Sequence, residues 1–327
     1  MNLLPFEKIK REVFTKKQAE TSSKYGCIPE KRTTEQLIQY GIVNIDKPRG
    51  PTSHQVSAYV QKILNIDKGG HSGTLDPNVT GVLPVALGKA TKIVQALLPA
   101  GKEYVCVMRL HDDYTEQKIR EVCTSFVGKI KQMPPLKSAV KRQLRYRKIY
   151  YLDVIEIEGR NVLFRVGCQA GTYIRTLCVD IGKKLGSNAH MQELRRTKVA
   201  CFKEDTLCSM QDLTDAFWYY KNDNDDKILR KYIVPMEHGV SHLPKVWIFD
   251  TTVNTICHGA SLKVPGVSKV ESDVQEGELV AIMTLKNELV ALGKAVMLPK
   301  QIIKAEKGVA VKLERVFMDP GVYPKIQ

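Results

Sequence analysis

The chain has 327 residues, 43% hydrophobic and 26% charged, with 50 Lys/Arg against 35 Asp/Glu for a formal charge of +15. That length can bury two ordinary cores without disulfide or metal staples, and no run approaches the ~18 apolar residues of a membrane helix. Eight scattered cysteines without a CxxC pair predict reduced thiols in a cytosolic or nuclear setting, the start MNLLPFEKIKREVFTKK lacks the apolar centre of a secretory signal, and the excess charge favours a polyanion, foremost nucleic acid.

Residues 1–40 are polar and basic, broken by Pro29, and predict an extension that is ordered only by docking, with the C-terminal domain as its platform. Ile42–Ile45 predicts a short strand, closed by the breaker-rich Asp46-Lys47-Pro48-Arg49-Gly50-Pro51. Thr52 or Ser53 then caps a helix whose Val56, Tyr59/Val60, Ile63 and Leu64 share one face. A glycine-rich turn follows, from Gly69 to Pro77. Tyr104–Met108 and Val162–Val166 read as strands, and the spacing from Asp113 to Glu116 predicts a capping box ahead of a helix with Ile119, Val122, Cys123 and Phe126 inward. Another helix is expected over 174–186, ended by Gly186, and Lys221–Asp226 suits a surface loop or hinge. Beyond Pro244, strands at 246–249, 279–284, 289–297 and 309–317, a hairpin turn at Lys286-Asn287 and one short helix (Val253, Ile256, Cys257, Ala260) predict a small β-rich domain. The expected division is an extension (1–40), a catalytic-sized domain (41–243) and a C-terminal domain (244–320).

Charge is uneven. From Lys245 onward the net is +2, leaving +13 for residues 1–244. The densest basic run holds Lys137, Lys141, Arg142, Arg145, Arg147 and Lys148, and a second cluster is Arg195-Arg196-Thr197-Lys198. One such run is usually a solvated face; two of them in a chain this basic predict a phosphate-binding cleft.

Several familiar chemistries fail on spacing. Between Gly81 and Gly88 lie six residues rather than the four of a P-loop, and Ala90 stands where that loop needs a hydroxyl. His238-Gly-Val-Ser-His242 has no Glu and no cysteine pair to make a metal site, so a surface turn is expected. No GxSxG elbow occurs. Asp76 is different. It follows three glycines and precedes Pro77, a setting in which an Asp commonly bonds its own backbone. Far along the chain, Gly171-Thr172-Tyr173-Ile174-Arg175 brings an aromatic ring and a guanidinium to a helix entry. An arginine partner favours the ionised form of a carboxylate in a closed, partly dry pocket.

Gly70-His71-Ser72-Gly73-Thr74-Leu75-Asp76-Pro77, with Gly81, Gly88-Lys89-Ala90-Thr91 downstream and Asp46-Lys47-Pro48 upstream, resembles the signature of TruB-type pseudouridine synthases. Lys102-Glu103-Tyr104, Met133-Pro134-Pro135, Ser138-Ala139-Val140-Lys141, Gly171–Arg175 and Leu194-Arg195-Arg196-Thr197 follow in that family's order, so the resemblance covers about Gly41 to Phe202. The N-terminal extension, Leu110-His111-Asp112 and the stretch from Arg147 to Tyr151 resemble the dyskerin branch, archaeal members above all. Pro244–Phe317 resembles a PUA domain, most clearly at Ile256-Cys-His258-Gly259-Ala260. The chain departs from its relatives at Gln143-Leu-Arg145-Tyr146, where they more often carry a basic pair and a small residue.

The resemblance implies an α+β fold: a mixed, mainly antiparallel-sheet catalytic domain and a small β-barrel-like PUA domain. It implies that Asp76 is the catalytic carboxylate, acting by attack on sugar or base or by deprotonating the sugar. Arg175 would pair with Asp76, Tyr104 stack on the target base, Tyr173 line the pocket with Leu194 beside it, and His71 hold the flipped-out nucleotide. Lys47, Lys141, Arg142, Arg145, Arg147, Arg195 and Arg196 would bind RNA. No cofactor and no metal is implied. The expected partners are a box H/ACA guide RNA, rRNA with tRNA as a further substrate, and small H/ACA particle proteins, with no membrane. Location would be cytoplasmic for an archaeal chain and nucleolar for a eukaryotic one. The alternatives are a stand-alone tRNA T-loop enzyme and a non-catalytic H/ACA RNA scaffold.

Overall fold

The computed structural model describes residues 2–134 and 143–325, so Lys137, Lys141 and Arg142 lie outside the described residues. Runs rich in Val, Ile and aromatic residues, punctuated by Gly, Pro and Asn, become strands, as their propensity demands. In chain order these are β1 (Val13–Thr15), β2 (Gly41–Lys47), β3 (Gly69–His71), β4 (Thr80–Leu87), β5 (Lys102–Leu110), β6 (Gly128–Gln132), β7 (Arg145–Glu158), β8 (Asn161–Cys168), β9 (Ala189–Val199), β10 (Phe202–Lys203) and β11 (Ile233–Pro235). The C-terminal part adds β12 (Lys245–Ile248), β13 (Leu262–Lys263), β14 (Val267–Glu271), β15 (Leu279–Thr284), β16 (Leu289–Ala295) and β17 (Val309–Val316). The helices are α1 (Thr34–Tyr40), α2 (Ser53–Leu64), α3 (Val94–Leu97), α4 (Glu116–Thr124), α5 (Ile174–Leu185), α6 (Met210–Asn222), α7 (Leu229–Tyr232), α8 (Asp250–Cys257) and α9 (Pro299–Lys304).

Local chemistry explains the helix ends. Thr52 caps α2 in a reciprocal box with Gln55, and Asn65 closes it in the left-handed region at φ 51°. Gly186 closes α5 at φ 102°. The capping box expected at Asp113 does not form. Arg160 holds that carboxylate in a two-pronged grip at 2.8 and 2.7 Å, and Thr115 caps α4 instead. The loop expected over 221–226 shortens because α6 runs on through Asn222. Gly69–His71, expected as a turn, is an edge strand against β4.

Among the described residues ten strands form the first sheet, in the order β11-β2-β4-β9-β5-β8-β7-β6, with β10 on β9 and β3 on β4. Its pairings are antiparallel except β4–β9, where Thr80 and Gly81 face Arg195 and Arg196. Helices α4 and α5 cover one region of it through Ile119, Leu177, Cys178 and Ile181. Helices α2 and α6 cover another through Val56, Val60 and Leu213. The second sheet runs β1-β14-β12-β15-β16-β17-β13, antiparallel except β12–β15, and its inward residues share one apolar core with α8 and α9. A third cluster joins the two parts: Ile42, Phe202 and Met236 pack with Met283, Leu289 and Phe317.

The N-terminal segment touches both parts. Its β1 adds an edge to the second sheet beside β14, while Asn2 bonds Asp153 and Glu7 lies 3.4 Å from Lys198 on the first. All eight cysteines are free. His238 is on the surface, but His242 is buried with Nε2 3.2 Å from the Ala96 carbonyl, so the expected surface turn holds for only one of the two histidines. Among the described residues no helix is long and apolar enough to cross a membrane, and no group of three or more His, Cys, Asp or Glu is placed to hold a metal ion.

Candidate active site

The segment from His71 to Val79 leaves β3 and returns to β4, and many of its backbone groups are tied down. Gly73 sits at φ 131°, a conformation that favours glycine, and its N–H meets His71 Nδ1 at 3.3 Å. Ser72 N–H donates to the Pro84 carbonyl. Ser53, the first residue of α2, grips Leu75 from both sides: its Oγ accepts from Leu75 N–H at 2.8 Å and donates to the Leu75 carbonyl at 3.3 Å. Val79 N–H closes a turn on the Asp76 carbonyl at 3.0 Å, and Gly50 N–H reaches the Pro77 carbonyl at 2.9 Å.

Two cations that the sequence assigns to RNA turn inward to this loop instead. Lys47 is fully buried, and its three ammonium protons reach the carbonyls of Pro48, Pro77 and Val79 at 2.9–3.1 Å. Arg196 is 1% exposed; Nε donates to the Val82 carbonyl at 2.8 Å and Nη2 to the Gly73 carbonyl at 3.2 Å. Buried under the loop with donors on its carbonyls, both act on it from inside as loop-positioning residues. Burial pushes both pKa values down, and for Lys47 the Arg196 charge adds to it. A third buried cation, Lys102, donates to the carbonyls of Leu97, Leu98 and Ala100 at 2.7–3.0 Å. Burial and Arg196 push it down to about 7, against three carbonyls that fit the ammonium form.

Asp76 projects from the top of this frame, and Arg175 Nη2 bonds its Oδ2. The expected closed, dry pocket is not what surrounds them. The two side chains are 55% and 49% exposed, so the pair stands open to solvent at the rim. Arg175 comes from the first turn of α5, entered through Gly171 at φ 77° and Tyr173, which provides no side-chain cap. On the adjoining strands, Tyr104 faces Arg196 in register and Cys106 faces Leu194, so ring and leucine share one face of β5 and β9. Both are half-buried against the core that α5 covers. Burial pushes the Tyr104 phenol up, with the Arg196 guanidinium beside its hydroxyl opposing the shift. Burial pushes the half-buried His71 imidazole down, with Arg196 and His54 adding to it, which favours the neutral ring.

The remaining basic residues divide. Arg195 is held by Asp46 at 3.0 and 3.1 Å and by Glu204 at 2.5 Å, so much of its charge is already matched. Arg147 lies against Gly171, where an added Cβ would fall 3.0 Å from its Nε. Arg145 is half-buried at the start of β7. Lys141 and Arg142 fall outside the described residues. Three positions went unread in the sequence: Ser53 as a loop clamp, Lys102 as a carbonyl cage, and Gln132, whose buried amide bonds both backbone groups of Tyr173. The block Lys102-Glu103-Tyr104 and the place of Gln132 directly before Met133-Pro134 were the available signals.

Comparison with known proteins agrees along the whole chain. The family model for "TruB family pseudouridylate synthase (N terminal domain)" matches residues 61–174, and that for the tRNA pseudouridylate synthase B C-terminal domain matches 175–241. A PUA domain matches 244–317, and a DKCLD (NUC011) domain 2–57. Proteins named probable tRNA pseudouridine synthase B from Pyrococcus furiosus and Methanopyrus kandleri are 57% and 54% identical, covering 99% and 98% of this chain and 96% and 95% of theirs. A chain from a solved Cbf5–Nop10–Gar1 complex superposes with a TM-score of 0.95 at 57% identity, with 99% of both chains covered. A chain from an H/ACA RNP bound to a substrate RNA containing 2′-deoxyuridine gives 0.93 at 55%, again with 99% of both covered. With its catalytic sheet, its Asp76–Arg175 rim and its C-terminal PUA domain, the chain belongs to the TruB family of pseudouridine synthases.

Proposed function

We propose that the chain isomerises uridine to pseudouridine in RNA at positions chosen by a box H/ACA guide RNA, with rRNA as its principal substrate and tRNA as a further one, in a particle with small partner proteins. The observation that carries this reading is the solvent-open Asp76–Arg175 pair, with the Asp76 charge felt at the Tyr104 phenol, Leu194 on the Tyr104 face of the sheet and Tyr173 at the entry of the helix that holds Arg175. A nucleotide presented by folded RNA needs an open approach, whereas a small free substrate is usually enclosed. Likeness over 99% of both chains to a protein solved in an H/ACA RNP supports the guided mode.

In this reading the target nucleotide leaves its stack and its base meets the Tyr104 ring, with Tyr173 and Leu194 closing the apolar sides. Asp76 initiates cleavage of the N1–C1′ bond, by attack on sugar or base or by deprotonating the sugar, while Arg175 fixes the carboxylate's orientation. The freed uracil turns, C5 bonds C1′, C5 loses its proton and N1 gains one. The product is an isomer, so atoms and electrons balance without a co-reactant. His71 borders the loop as a neutral ring that holds the nucleotide. Arg145, Arg147 and Arg195, with Lys141 and Arg142, take the phosphates. Residues 1–40 serve as an extension, 41–243 as the catalytic domain and 244–320 as the PUA domain. An archaeal chain of this kind works in the cytoplasm, a eukaryotic one in the nucleolus.

The test is conversion of a target rRNA fragment and of an unmodified tRNA by the full chain with partner proteins, using a matched guide, a mismatched guide or none. Conversion of the fragment only with the matched guide is expected. Equal conversion of tRNA without a guide would favour the stand-alone enzyme. Tight RNA binding with no product in any arm would favour the scaffold.

A further inference from the structure

We propose that Gln132 is a positioning residue for catalysis, fixing the entry of α5 and through it the placement of Tyr173 and Arg175 against Asp76. Gln132 ends β6 and is 2% exposed. A buried amide must find partners for its donor and its acceptor. Here both partners belong to one residue: Tyr173 N–H donates to Gln132 Oε1 at 3.0 Å, and Gln132 Nε2 donates to the Tyr173 carbonyl at 3.1 Å. The side chain thus pairs with the Tyr173 peptide groups as a neighbouring strand would, at the point where the chain turns into the helix.

That point needs an outside hold. The first N–H groups of a helix have no partner within it, Tyr173 offers no side-chain cap, and Gly171 beside it is in the left-handed region. On the adjacent strand β7, the Arg147 side chain lies close against Gly171 of the same turn. Gln132 and Arg145 are register partners, as are Ile130 and Arg147, so the amide and the guanidinium come from neighbouring strands. Arg175 follows only two residues later with half its side chain in solvent, so this turn sets its position more than any packing of its own. Misplacing a reacting group by ~1 Å can cost on the order of a hundredfold in rate.

The inference rests on the reading of Asp76 and Arg175 as the reacting pair. The test uses the full chain with guide RNA, partner proteins and a matched uridine-containing RNA, and compares Gln132→Met and Gln132→Glu with wild type by single-turnover rate, RNA affinity and thermal midpoint. Gln132→Met keeps the length and loses both bonds. It should slow conversion about tenfold to a hundredfold while RNA affinity stays within about twofold. Gln132→Glu keeps the acceptor for the Tyr173 N–H but, when ionised, turns a negative oxygen on the Tyr173 carbonyl. Protonation restores a donor, so its rate relative to wild type should rise as pH falls from about 8 to about 5, while the Gln132→Met ratio stays flat. An active wild type with an equally fast Gln132→Met overturns the proposal. So does a loss that tracks RNA affinity and thermal midpoint with no recovery of Gln132→Glu at low pH. An inactive wild type would instead sink the reading of the active site itself.

Discussion

Around the active site three buried charges are cations that end on carbonyls, Lys47, Lys102 and Arg196, none more than 5% exposed, beside one buried carboxylate, Glu103, that accepts from Thr197 Oγ1 at 2.8 Å. In the C-terminal sheet they are carboxylates that accept from donors. Glu288 takes Tyr323 O–H and Cys27 N–H at 2.6 and 3.0 Å, and Glu271 takes Lys245 N–H at 2.8 Å. Lys47 and Arg196 brace the loop from which Asp76 projects, and Lys102 braces the turn at 97–100; in the second sheet Glu288, through Cys27, and Glu271, 3.6 Å from Arg11, hold the N-terminal segment to a sheet that already has its own apolar core. Burying a charge is costly, so its sign and partners reveal what local structure could not achieve alone. A loop showing several carbonyls inward needs cations, and a docked segment showing N–H groups needs carboxylates.

Arg196→Met tests the contrast most severely. It leaves the Gly73 and Val82 carbonyls without their donors and should cost about 2–4 kcal/mol in denaturant unfolding, with pseudouridine formation falling on the order of a hundredfold as the loop relaxes. Normal activity in a stable Arg196→Met chain would break the distinction between the two regions.

The junction between them should respond to pH through His242. Burial holds His242 at about 4, below its ordinary 6.5, so the unfolded chain takes up that proton first. Stability should therefore fall as pH drops from about 6.5 to about 4, by up to about 3 kcal/mol from this group. Unfolding curves at both ends of that window should show a shallower fall for His242→Gln than for wild type. Glu288→Gln should cost about 1 kcal/mol, raise amide exchange around Cys27, and leave turnover unchanged. Arg195→Gln is the smallest perturbation. At this half-exposed site stability should move by less than about 0.5 kcal/mol, and the salt slope of RNA binding should fall by less than about one charge, since Asp46 and Glu204 already match the guanidinium.

What the sequence revealed follows the range of the interactions. The Thr52 cap, the Gly186 stop and the Lys286-Asn287 turn rest on neighbours within a few residues, and the structure has each of them. The Asp113 box failed because Arg160, 47 positions away, competes for the carboxylate. The inward placement of Lys47 and Arg196 was not legible, because a lysine or arginine reads alike whether it meets water or a ring of carbonyls. Burial is a property of the fold, as is the pairing of β1 with β14. Asp76 and Arg175 stand in motif blocks 99 positions apart, but the solvent-open setting of the pair was not legible, since solvent access at a rim depends on the surrounding chain.

The central claim is that Asp76 drives uridine isomerisation at this rim. The most direct measurement is single-turnover pseudouridine formation by Asp76→Asn beside wild type, both in the assembled particle and with RNA affinity recorded for each. Asp76→Asn should give no detectable product at RNA affinity within about twofold of wild type. Product formed at the wild-type rate would contradict it.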